Sequence, residues 1–395
     1  MRASDGARMP NFEAEQDVAD HLTTKGSKET SIKLSPIQLS KAGPWGQIEY
    51  FQALLDAPAD LVKESQPKSI RTRWFFGKME PDAVSELLGS LELPQELEKE
   101  LNNRDSWLSE KEGVTIFPKT SQILAIPEKA RLQLYRMLSK WPENPYHAEP
   151  EIVYGKSVRK WFEGFEISEE ALNFIEKTSY ATLSSRLFAD SPAVLSIARS
   201  EKERVQILRA FSRTPTLVAK LRLQSGSAED LSMYWNKGIR FKDTSTFLGS
   251  MKRYDEVHKI DLVHLLPAGV RKILYTFPSP SHTRSGYLPD CHWSSLNFFN
   301  PEPLERLSDP PQATAYTLEN FTPVSPPYEL GDVLFFTDTQ TGDAYHSCAY
   351  IADDIVFTKN GRSPLQPWIL MKLDQVRDLY DLHFRTNTTA YRRKN

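Results

Sequence analysis

The chain has two cysteines in 395 residues, and the first, Cys291, stands in the stretch "PDCHWSSLNFF" (289–299). Asp290 is a good helix N-cap, because its carboxylate accepts an N–H that the first turn leaves unpaired. Cys291 then falls in that first turn, where the positive end of the helix dipole favours thiolate over thiol. The chemistry on offer is nucleophilic attack by sulfur. Such attack needs a base that takes the thiol proton and returns it to a leaving amine. His346, 55 residues further on, opens the apolar strand "HSCAYIA" and supplies an imidazole at a sheet edge. Thr358 and Asn360 in "DIVFTKN" share one strand face by period two, and either can orient the imidazole. The backbone N–H of Cys291 and the side chain of His292 are candidate oxyanion donors, although His292 reads equally well as a histidine at the core edge. Cys348 lies on the His346 face two residues on and reads as a small buried residue. Cys291, His292, His346 and Cys348 have the right types for zinc. Adjacent helical residues point about 100° apart, however, so no metal site is expected.

These groups need a helix packed on a sheet, and the C-terminal third has the pattern for it. Gly331-Asp332 turns into the apolar "VLFF", a polar loop leads to the His346 strand, and Asp353-Asp354 turns into "IVFTK". A helix followed by strands, after a break in composition at Pro278, predicts an α+β domain over 278–395. Upstream, residues 1–43 are polar and weakly patterned and read as a mobile arm. Residues 44–150 read as a mixed α/β accessory domain. In it, "QIEYFQALL" is a strand or helix, "RTRWFF" and "GVTIFP" are strands, and "EPDAVSELLGSL" and "PEKARLQLYRMLSKW" are helices opened by Pro and acidic residues. The Pro-rich "WPENPYHAEPE" (141–151) reads as a linker. Residues 151–277 read as a helical accessory region, with capping-box-like starts at "SEEALNFIEKTSY" and "SEKERVQILRAF". "SRTPTLVAKLRL" reads there as a solvated helix face, and His264 as a core histidine in an apolar helix. The dispersed tryptophans read as core packing rather than a carbohydrate platform.

Composition excludes several classes. A net charge of −3 gives no electrostatic footprint for nucleic acid or an anionic membrane. No apolar run approaches the roughly 20 residues of a membrane span, and the N-terminus lacks the apolar core of a signal peptide. The expected location is therefore cytoplasmic as written, or extracytoplasmic if the start is misassigned. Two cysteines make no disulfide framework. Phosphate-binding loops, dinucleotide glycine fingerprints and HExxH are absent from the sequence, so no cofactor is expected.

The order of Asp290-Cys291, then Gly331-Asp332 with Val333 to Phe336, then His346 with Tyr350-Ile351, resembles the NlpC-type papain-like cysteine peptidases, the bacterial cell-wall endopeptidase family. The resemblance covers roughly residues 275–380, about a quarter of the chain. It implies a papain-like fold with Cys291 as nucleophile, His346 as base and acid, and Asn360, as in papain-like enzymes, or Thr358 as orienting group. Where the family often carries Ser-Gly after the cysteine, this chain has His292-Trp293. Where a third histidine is usual, it has Thr358. The implied reaction is amide hydrolysis through a thioester, on a peptide or isopeptide bond such as those of peptidoglycan stems. The alternatives are an inactive binding module on the same fold and a thiol acyltransferase. The oligomeric state is not legible.

Overall fold

A computed structural model of the chain describes residues 36–67, 69–182, 185–237, 244–279, 288–380 and 386–394. Most of the expected arm, 1–35, and the loop-like 280–287 lie outside the described residues. Helices alternate with sheets whose strands all pair antiparallel among the described residues. The mixed helix-and-antiparallel-sheet architecture is the one expected.

Helix starts follow the caps read from the sequence. Ser168 accepts a hydrogen bond from Ala171 N ahead of the helix Glu169–Thr178, and Ser200 accepts one from Glu203 N ahead of Glu201–Ser212. Pro81 opens the helix Pro81–Gly89. Each serine satisfies one of the N–H groups a first turn leaves without a partner. "QIEYFQALL" is a strand, Gln47–Leu55, and its alternating burial explains why. Trp74 and Trp235 are buried, and Trp45, Trp107, Trp141 and Trp161 pack half-buried against the cores.

Three expectations are corrected. "TPTLVAKLR" is not a solvated helix face but a largely buried strand, Thr214–Arg222. It pairs along its whole length with Gln47–Leu55, the β-branched Thr214, Thr216 and Val218 suiting a pleated surface. The stretch 141–151 is not a free linker. Its Asn144 is buried and bonds both the N–H and the carbonyl of Phe75 at 2.8 Å, and a short helix, Pro145–Ala148, buries His147. His264 is exposed, in a 3₁₀ turn, Leu262–Leu265. The last residues of the polar arm are also ordered: Gln38–Leu39 pairs with Tyr50 and Glu49.

The sheet that carries the candidate site has six strands, in the order Phe321–Val324, Thr386–Arg393, Val333–Asp338, Ala344–Ala352, Ile355–Lys359, Trp368–Lys372. Alternation sends its side chains to two cores. Phe335, Ala349, Ile351, Phe357 and Leu370 pack with Trp293, Leu296 and Phe298 of the Cys291 segment, in a core continuous with Ile48, Leu217 and Leu221 of the neighbouring sheet. Leu334, Phe336, Cys348, Val356 and Met371 pack on the other face with Val376 and Leu379 of the helix Leu373–Tyr380. Ile152 and Tyr154 of the strand Glu151–Tyr154 close over that second core.

Among the described residues no seventh strand pairs with the strand Trp368–Lys372. Its outward groups are met from elsewhere: Thr216 Oγ1 donates to Leu370 O (3.2 Å) and accepts from Leu370 N (3.1 Å). Tyr275 N donates to Trp368 O and Trp368 N to Thr276 O, at 2.8 and 3.0 Å. The described residues form one compact unit. The paired strands 47–55 and 214–222 cross the boundary read at 150, and these edge bonds cross the one read at 277.

Gly331 and Asp332 have structural jobs. Gly331 has φ +84°, and a Cβ there would lie 2.0 Å from the Phe299 ring. Asp332 is buried and grips Arg392 through two bonds of 2.8 Å while also accepting from Glu329 N at 2.8 Å. The turn therefore fixes where the central strand Val333–Asp338 begins.

Candidate active site

Cys291 opens the helix Cys291–Leu296, and Asp290 caps it by accepting from Trp293 N at 2.8 Å. The other Asp290 oxygen pairs with Arg362 at 3.4 Å. The helix lies on the sheet through its neighbours. Ser347 Oγ meets His292 Nδ1 at 2.9 Å and Ser295 Oγ at 2.7 Å. The His292 ring stacks on Phe335 with centroids 5.9 Å apart, and Trp368 Nε1 donates to Ser294 Oγ at 2.9 Å. The structure thus places His292 against the sheet rather than at an open cleft. Burial, the largest influence, holds its imidazolium form down, opposed by Asp290 and by the Ala344 backbone.

His346 precedes Ser347, so it faces the other way. It is fully buried. Its Nε2 lies 3.1 Å from Thr358 Oγ1, and the Tyr380 ring stacks on it, centroids 4.4 Å apart and planes 28° from parallel. Its other nitrogen, Nδ1, is buried with no hydrogen-bond partner. Thr358 is the group that contacts the imidazole. Asn360, on the same face, instead directs its amide at Met371 Sδ, 3.8 Å away. Asn360 Oδ1 and the Tyr154 hydroxyl are both buried; burial, the largest influence, raises the Tyr154 titration, and the Asn360 side chain beside it opposes that rise.

His346, Thr358, Asn360 and Cys348 are therefore brought together on one face, while the helix body of Cys291 packs on the opposite one. No hydrogen bond joins Cys291 to His346 among the described residues. Cys291 nonetheless lies toward the end of the sheet where the strand Ala344–Ala352 carries His346 and the neighbouring strand ends at Lys359. Its charge raises the titration of Tyr380 and Cys348, on the His346 face, and that of Lys359. For Cys348 burial is the dominant influence and pushes the thiol far up, which suits an inert core cysteine.

Three neighbours escaped the sequence reading. Tyr380 closes a helix whose ending gave no signal that its ring reaches a histidine. Glu149, inside the supposed linker, accepts from Arg362 N at 3.1 Å. Lys359 ends an otherwise apolar strand with its ammonium buried, and a lysine in "IVFTK" was the available clue. Among the described residues no cluster of three or more His, Cys, Asp or Glu side chains is placed to hold a metal ion, and no helix is long and apolar enough to cross a membrane. Compared with protein-family models, curated proteins and solved structures, the chain matches none.

Proposed function

We propose that the chain is a papain-like cysteine hydrolase in which Cys291 attacks an amide carbonyl and His346 moves the protons. The observation that carries this is the His346 ring: one nitrogen is held by Thr358 and the other is buried with nothing to bond. Buried polar nitrogens are normally satisfied, and an exception asks for a reason. A base poised for a nearby thiol is such a reason, since hydrogen bonds of this kind are often long in unliganded enzymes and tighten on binding.

The steps follow from these groups. With Thr358 fixing the ring, Nδ1 accepts the Cys291 proton, and the thiolate adds to the carbonyl carbon. The tetrahedral oxyanion collapses, the C–N bond breaks, and His346 gives its proton to the departing amine. Water then attacks the thioester, losing its proton to His346, and the acid leaves as Cys291 is reprotonated. The resemblance to the NlpC-type peptidases points to a peptide or isopeptide bond, with peptidoglycan-type peptides as the first class to try.

An inactive binding module on the same fold is the second reading. It is favoured by one observation: among the described residues no hydrogen bond joins Cys291 to His346, and the body of the Cys291 helix packs on the face of the sheet opposite His346. Iodoacetamide alkylation of Cys291 against pH, read by mass spectrometry in wild type and His346→Ala, separates the two. A depressed apparent thiol pKa that rises in the variant supports the hydrolase. A value near ~8.5, unchanged by the variant, removes it. Free acid among the products marks a hydrolase, and a new amide or ester a transferase.

A further inference from the structure

Lys359 is the residue whose surroundings are hardest to explain by folding alone. It is fully buried at the end of the strand Ile355–Lys359. By alternation it points to the face where Phe357 meets Phe298, ring centroids 6.0 Å apart, the face the Cys291 helix covers. Its neighbour Thr358 points to His346. Lys359 Nζ donates to two neutral acceptors, Gly361 O at 2.7 Å and Ser363 O at 2.9 Å. Among the described residues no carboxylate lies within ion-pairing distance of it. A buried ammonium without a countercharge is strongly unfavourable, so the structure should hold an anion near it.

Three groups contribute negative charge there: Glu149, Asp290 and Cys291. Glu149 is bonded to the Arg362 backbone, and Asp290 is engaged by Trp293 N and Arg362. The Cys291 thiol alone has no hydrogen-bond or ion-pair partner among the described residues. We infer that Lys359 is the built-in countercharge of the Cys291 thiolate, a positioning residue that holds the nucleophile in its reactive form while His346 shuttles the proton. The inference rests on the hydrolase reading and assigns it a residue outside the Cys–His–Thr set. Burial lowers the Lys359 ammonium from 10.5 to about 8, so it remains mainly charged at neutral pH.

The other groups around Cys291 do not replace it. On its own segment stand Asp290, an anion, and His292, which burial keeps neutral. Cys348 and Tyr380, from the sheet and the 373–380 helix, are held in their neutral acids by burial. Arg362 is already committed to Asp290.

The test is Cys291 alkylation against pH in the full chain, for wild type, Lys359→Met, Lys359→Gln, Lys359→Arg and His346→Ala, with circular dichroism and melting as checks of folding. Removing the charge should raise the thiol titration by about one unit or more, slowing alkylation about tenfold near neutrality, and Lys359→Arg should retain most of the wild-type rate. Lys359→Gln keeps a donor for the two carbonyls and stands in if the methionine variant does not fold. A folded neutral variant that titrates like wild type overturns the countercharge. An effect of His346→Ala without one of Lys359 sinks this inference and leaves the hydrolase. The reverse pattern sinks the Cys–His pair and leaves the countercharge.

Discussion

Thr358 Oγ1 lies 3.1 Å from His346 Nε2, and this contact decides which imidazole nitrogen remains available. Replacing Thr358 by Val keeps the shape and removes the hydroxyl, leaving Nε2 buried and unpaired. Stability should fall by about 1–3 kcal/mol, and turnover of a peptide substrate should fall by about tenfold or more as the ring loses its orientation. Thr358→Ser should recover most of both. Urea unfolding beside turnover measures the two effects, and a valine variant with wild-type turnover would remove Thr358 from the site.

Lys359 makes stability depend on alkaline pH in a defined direction. Its folded-state value, about 8, lies below the ordinary 10.5, so the unfolded chain keeps a proton that the folded chain releases. Between those limits folding is favoured as pH rises. Compared with Lys359→Met, the wild type should gain about 3 kcal/mol across that window. Denaturation curves at several pH values check this; a constant difference between the two proteins contradicts it.

A second buried cluster predicts the opposite slope. Asp190 accepts the Tyr135 hydroxyl at 2.7 Å, and its Oδ1 is buried without a partner. Burial, the largest influence, lifts the Asp190 carboxyl from 3.8 to about 7, against the Tyr135 hydrogen bond and Arg131. The folded chain therefore holds a proton the unfolded chain has lost, and stability from this group declines as pH rises through that window. Asp190→Asn keeps an acceptor for Tyr135 and carries no charge. Its melting temperature should pull ahead of wild type from about pH 4 to about pH 7 and then run parallel. A gap independent of pH would be inconsistent with the shift.

His147, whose ring centroid lies 4.8 Å from that of Tyr135, works the other way. Burial lowers it from 6.5 to about 3, so the unfolded chain takes up a proton first and stability falls as pH drops below 6.5. His147→Gln should flatten the acid limb of the stability profile. Equal acid limbs in variant and wild type would contradict the assignment.

The Asp332–Arg392 clamp should matter to folding rather than chemistry. Asp332→Asn exchanges two charge-assisted bonds for weaker ones and should lower stability by about 2 kcal/mol. Arg392→Lys keeps the charge but not the two-pronged geometry and should also lose stability. If either variant lost Cys291 reactivity while melting like wild type, the purely structural role would be wrong.

How much of this was legible depended on the range of the interactions. Ser168 and Ser200 announce their helices because a cap bonds three residues away. The strand 214–222 was missed because its partner, 47–55, is far off in sequence and its own lysine and arginine mimic a solvated helix. Type and spacing marked Cys291 and His346 as candidates and left Thr358 and Asn360 as equal choices for the group on the imidazole, between which only the fold distinguishes. Period two put His346 with Cys348 and Thr358 with Asn360, but it cannot say which face receives a helix, and Ser347, not His346, is the residue that helix grips. Lys359 and Tyr380 owe their roles to tertiary burial, for which a single sequence carries little signal.

The bonds from Thr216, Tyr275 and Thr276 to Trp368 and Leu370 have a consequence for aggregation. "WILMK" is an apolar edge strand, and an edge with bare N–H and carbonyl groups is a template for adding a strand from another molecule. Here the upstream part of the chain occupies those groups. A fragment carrying only residues 278–395 would expose that edge, and such a fragment would be drawn toward intermolecular β-pairing. The upstream part thus guards this sheet against self-association.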